Sequence, residues 1–131
     1  MSDAFQTHAA FSWSELRSTD IDKAKAFYSD VIGWTLEPMD MGDGGTYTVL
    51  KNGDTPVGGM MAMPEAAQGA PSHWAVYVTV DDVDKRLEMA TGAGGSVLMP
   101  PMDIPGVGRM ATVADPSGAA ICLITYEKKD C

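Results

Sequence analysis

The sequence predicts an α+β domain made of two copies of one β-α-β-β-β unit. Three observations predict it. The chain lies on itself at a single ungapped offset of 62 residues, which sets Asp20-Ile21-Asp22-Lys23 on Asp82-Val83-Asp84-Lys85, Gly33 on Gly95, Leu36 on Leu98, Pro38 on Pro100 and Gly44 on Gly106. Each copy has an aspartate placed to cap a helix and a glycine placed to end it. Short apolar segments separated by turn residues then follow in both copies, as expected of strands.

Taken in order, residues 11–17 read as a strand, and Thr19 or Asp20 caps a helix reaching about residue 32. Ile21, Ala24, Phe27, Tyr28 and Val31 lie on or beside one face of that helix. Gly33 ends it. Residues 34–37 and 46–51 form two further strands, Asn52-Gly53 makes the tight turn, and residues 56–63 return. The second copy gives a strand at 73–80, a helix from Asp82 to about 91, and the stop Gly92-Ala93-Gly94-Gly95. Strands at 96–99, 109–114 and 119–126 complete it, with Asp115-Pro116-Ser117-Gly118 as the turn before the last. The domain organisation is an arm at 1–10, a single domain at 11–126 and a tail at 127–131. Within the domain, module one is 11–63, the linker 64–71 and module two 72–126. The glycines at 92–95 close a helix instead of opening one, so they do not form a dinucleotide fingerprint.

Bulk properties narrow the function. The formal net charge is −9, and Lys and Arg form no cluster, so nucleic acid and anionic membrane are poor partners. The first ten residues do not read as a leader, and no run of about 18 apolar residues occurs, which points to a cytoplasmic protein. Two cysteines and two histidines leave a metal site dependent on carboxylates.

Phe27-Tyr28 near the end of the first helix, Gly33-Trp34 after it, and Asp115-Pro116-Ser117-Gly118 before the last strand carry a resemblance. Together with the duplicated unit, they make the chain similar to the vicinal oxygen chelate superfamily of glyoxalase I, bleomycin resistance proteins and extradiol dioxygenases. The resemblance covers residues 11–126. It implies a curved, cup-like eight-stranded mixed sheet with helices on the outside. It also implies that metal-bearing members take a His or Glu from the first and last strand of each unit, and those positions fall here on Trp13, Met60, Ala75 and Cys122. That set holds no imidazole and no carboxylate, so no metal cofactor is expected.

Strand alternation then assigns the lining. With Trp13 inward, Phe11, Glu15 and Arg17 share its face and Leu16 turns to the helix, while His73, Ala75, Tyr77 and Thr79 line the second unit. An antiparallel register that sets Trp13 opposite Ala75 also sets Glu15 opposite His73, with Cβ atoms roughly 5 Å apart. Such a pair serves as a base, with Tyr77 as acid, or as a relocated divalent-metal site. The plainer readings are a rim carboxylate or a partner for Arg17 or Arg109, a strand-start histidine hydrogen-bonded at the surface, and a rim tyrosine. Arg109, which the repeat aligns with Tyr47, is a carboxylate clamp or an ion-pair partner, and Cys122 a small core hydrophobe. Met60 is expected in the cup, with Met39, Met41, Met99 and Met102 near its mouth. These suit either an adaptable apolar pocket or simple gap-filling.

Three functions fit these residues. The first is a metal-free binder of a small, partly aromatic or cationic organic molecule, with Trp13, Met60, Ala75, Arg109 and Cys122 as its lining. The second is a metal-free lyase-type enzyme using Glu15, His73 and Tyr77. The third is a divalent-metal lyase or oxygenase with Glu15 and His73 as ligands. A homodimer is expected in each case.

Overall fold

The computed structural model describes residues 3–40, 46–63, 69–104 and 106–127. Met41, linker residues 64–68 and Cys131 lie outside the described residues. Among the described residues there are eight strands and two α-helices, with both parallel and antiparallel pairing. The chain divides into two compact units, Trp13–Ala75 on one side and Met1–Ser12 with Val76–Cys131 on the other.

The first unit holds β1 (Phe11–Ser18), α1 (Ile21–Val31), β2 (Thr35–Asp40), β3 (Thr46–Asn52) and β4 (Thr55–Ala62). Their order across the sheet is β2-β3-β4-β1. β1 and β4 run parallel, with Glu15 beside Gly59 and Leu16 beside Met60, and the other pairs are antiparallel. Asp20 caps α1 by accepting from the Lys23 N–H at 3.1 Å. Gly33 takes φ +87°, and its N–H reaches the Tyr28 carbonyl at 3.1 Å, as the helix stop requires. Leu16, Leu50 and Met60 form the core beneath Ile21, Ala24 and Tyr28 of α1.

The second unit repeats the order with β5 (His73–Thr79), whose residues 73–75 belong to the first unit, α2 (Val83–Gly92), β6 (Ser96–Ile104), β7 (Gly108–Ala114) and β8 (Ala120–Tyr126). Its strands lie in the order β5-β8-β7-β6, with β5 and β8 parallel. Asp82 caps α2 through the Lys85 N–H, as Asp20 does for α1. Val80, Val83, Leu87, Ala111 and Val113 make this unit's core. Residues of the N-terminal arm belong to it: Ala9 N–H donates to the Thr79 carbonyl, Thr79 Oγ1 donates to the Ala4 carbonyl, and Phe5 meets Tyr126 edge-on.

Two expectations are corrected. Strand β6 continues past Met99 through Pro100 and Pro101 to Ile104, because it is the outer strand of its unit. An outer strand with register shifts tolerates residues that donate no ladder hydrogen bond. The 62-residue offset also fails to hold to the end. Leu16 sits beside Met60, whereas Val78 sits beside Leu123, so the offset has become 63 by the last strand. The extra residue enters before β7, where β6 carries its two irregularities.

Candidate functional site

Alternation along β1 turns Leu16 to the α1 core and puts Trp13, Glu15 and Arg17 on the opposite face. Arg17 Nε donates to Glu15 Oε2 at 3.0 Å, and both side chains are about 95 % removed from solvent, at 5 % and 6 % exposure. Above this buried ion pair stand two half-buried rings. Trp13 Nε1 donates to the Tyr47 hydroxyl at 2.8 Å, and that hydroxyl donates onward to Glu15. Burial pushes the Tyr47 phenol well above its usual range, and the Glu15 charge adds to the shift. Trp13 and Arg17 pull the other way without cancelling it. Tyr47 is therefore a neutral phenol at any ordinary pH, as its role as a donor to a carboxylate requires.

Gly59 makes room for this arrangement. It lies on β4 between Glu15 of β1 and Val49 of β3, beneath the Tyr47 ring. A Cβ there would overlap the Tyr47 hydroxyl and two of its ring carbons. Sequence reasoning placed Tyr47 only as the repeat counterpart of Arg109 and missed its role. The available sign was the Gly58-Gly59 pair in a strand, which marks where a large neighbouring side chain can cross.

Met60, expected beside Trp13, instead packs with Leu16 and Leu50 under α1 and is fully buried. A one-residue slip turns a strand side chain to the other face, and Gly59 is the residue that shares the face of Glu15. The metal positions implied by the resemblance therefore carry an indole, a bare glycine, the methyl of Ala75 and the Cys122 thiol. Cys122 is buried, with its sulfur 3.3 Å from Thr112 Oγ1. Among the described residues no group of three His, Cys, Asp or Glu side chains could hold a metal ion. This donor set does not fit a divalent cation.

His73 places Nδ1 2.8 Å from the Pro71 carbonyl. Tyr77 is buried on β5 beside Cys122. Arg109 lies on the same face as Ala111 and Val113, toward α2. There its guanidinium holds Asp84 at 2.9 and 3.1 Å and Asp103 at 3.0 Å, beside a cavity of about 330 Å³. Its partners are acids of its own unit, and the hydrogen bonds it donates to Asp84 come first in raising its affinity for the proton.

A larger cavity, about 660 Å³, opens on the first unit. Tyr28, Trp34, Trp74 and Val57 line it, with Ser14 and Asn52 as polar points. Tyr28 and Trp34 are stacked at 5.7 Å, and Trp74 crosses Tyr28 edge-on while its Nε1 donates to the Tyr28 hydroxyl at 3.2 Å. Trp74 is 39 % exposed.

A duplicated β-α-β-β-β frame with parallel first and last strands in each unit defines the class of protein. Residues 7–123 match the Glyoxalase/Bleomycin resistance protein/Dioxygenase superfamily, and the chain belongs to it. It is 46 % identical over 112 residues to the Mycobacterium tuberculosis protein named "Putative glyoxylase CFP32", covering 86 % of this chain and 42 % of that one. It is 36 % identical over 124 residues to the anthracycline biosynthesis protein DnrV of Streptomyces peucetius, covering 86 % and 45 %. The chain thus spans less than half the length of these relatives. Among solved structures it is similar to methylmalonyl-CoA epimerase from Mycobacterium tuberculosis, with a TM-score of 0.62 and 16 % identity over 91 % of this chain and 89 % of that one. That likeness shows the fold alone.

Proposed function

We propose that this chain is a small-molecule-binding member of its superfamily that works without the family's metal. Its ligand is a compact, partly aromatic organic molecule held against the face bearing Trp13 and Tyr47. The observation that carries this reading is the state of Glu15. It is the carboxylate on the Trp13 face of β1, and it is bound to Arg17 and Tyr47 inside the protein. A carboxylate so held is stable as an internal anion and poorly placed to receive a cation or a substrate proton. Trp13 and Tyr47 above it supply fixed aromatic surface, the usual main component of small-molecule sites. Similarity to a protein named for anthracycline biosynthesis supports a conjugated ligand.

The lyase-type or oxygenase-type alternatives rest on Glu15 acting with His73. The bonds of Glu15 to Arg17 and of His73 to Pro71 favour binding over both. A homodimer and a cytoplasmic location are part of the proposal. Phe27, Val31 and Ile32, exposed at 55, 61 and 53 %, support a second copy as a partner.

The test is metal analysis of protein purified without chelator, combined with ligand titration followed by tryptophan emission. The expected result is metal far below stoichiometric, with ligand binding retained in His73→Ala and no product formed. A stoichiometric divalent ion that disappears in Glu15→Ala would overturn the proposal.

A further inference from the structure

We infer that Tyr47 is a positioning and specificity-determining residue, which locks Trp13 and makes this face select neutral conjugated molecules over anionic ones of the same shape. The inference rests on the binding reading above. An indole carries one N–H and no acceptor, and a phenol carries one O–H. Here the Trp13 N–H is committed to Tyr47 at 2.8 Å, and the Tyr47 O–H is committed to Glu15. The chain of donors runs inward and ends on a carboxylate that is itself held by buried Arg17. Glu15 and Arg17 are buried while Trp13 and Tyr47 are half-buried, so the part of this stack that meets solvent is ring surface.

A ligand laid on those rings gains stacking and dispersion. An anionic group on the same ligand gains no N–H or O–H from either ring, and it loses its water in a chain of net charge −9. Gly59 preserves the arrangement, because any side chain there would displace Tyr47. Replacing Tyr47 by phenylalanine keeps the ring and removes the hydroxyl. Trp13 is then less fixed, and its N–H is released toward the ligand.

The experiment uses two fluorescent probes with one ring system: neutral N-phenyl-1-naphthylamine and its sulfonated analogue, anilinonaphthalene sulfonate. Each is titrated into the wild type, Tyr47→Phe and Trp13→Phe, with folding checked by circular dichroism. In the wild type the neutral probe is expected to bind about tenfold more tightly than the sulfonate. In Tyr47→Phe the neutral probe weakens by about fivefold, consistent with loss of one hydrogen bond, and the ratio between the probes narrows. Trp13→Phe weakens both. A purely structural role for Tyr47 would leave the ratio unchanged. An unchanged ratio with binding intact therefore overturns the role of Tyr47 and spares the binding reading. A sulfonate bound as tightly as the neutral probe overturns the selectivity. Undiminished binding in Trp13→Phe places the probe elsewhere and also overturns the inference. A wild-type protein that binds neither probe overturns the binding reading together with it.

Discussion

Gly59→Ala tests the network without touching any of its members. In a strand, alanine is ordinarily better than glycine by about 0.5–1 kcal/mol, because glycine loses more backbone freedom on folding. Here the added methyl would overlap the Tyr47 hydroxyl and ring, so the ring must swing away. Two hydrogen bonds then break. The one from Trp13 is neutral and worth about 0.5–1.5 kcal/mol, and the one to the Glu15 carboxylate about 1.5–3 kcal/mol. Against the intrinsic gain of alanine, the net loss is about 1–4 kcal/mol, opposite in sign to a simple propensity argument. Urea unfolding should show a lower midpoint at unchanged slope. In a Tyr47→Ala background the same methyl meets no ring, so a double-mutant cycle should give a coupling of about 2–4.5 kcal/mol. A Gly59→Ala protein as stable as the wild type, with coupling near zero, would refute this account of Tyr47.

Other changes read other parts of the structure. Arg17→Ala leaves Glu15 buried beside Tyr47 without its guanidinium, and should cost about 3–5 kcal/mol in urea unfolding. Asp82→Ala removes the cap of α2 and should cost about 1 kcal/mol, measured the same way. Asp115 is held below the usual carboxylate range, first by the Ser117 hydroxyl and then by the Ala119 and Ser117 N–H groups. Because its folded pKa is depressed, its contribution to stability is present above its unfolded pKa, about 3.9, and is lost as pH falls through the folded value. Thermal midpoints measured against pH should therefore show a shallower acid decline in Asp115→Ala.

The frame of the molecule was legible because its marks are local. Asp20, Asp82, Gly33 and the Asp115 turn each act within a few residues, and the structure uses each as its sequence implies. The open face was harder to read because it depends on register. One extra residue before β7 put Met60 where Gly59 belongs and paired Tyr47 with Arg109, which faces α2. Of the partners the sequence offers Glu15, the structure shows Arg17, two residues along the same strand, where alternation alone puts both on one face. Strand β6 was cut short at Pro100, since the tolerance of an outer strand for proline depends on sheet position, which composition does not carry.

The central claim is that the Trp13 face binds a conjugated molecule without a metal. Calorimetric titration of N-phenyl-1-naphthylamine into chelator-treated protein tests it most directly. The account predicts a single saturable event whose affinity is the same before and after chelation and falls in Trp13→Phe. Affinity that vanishes on chelation and returns with stoichiometric zinc or manganese would contradict it.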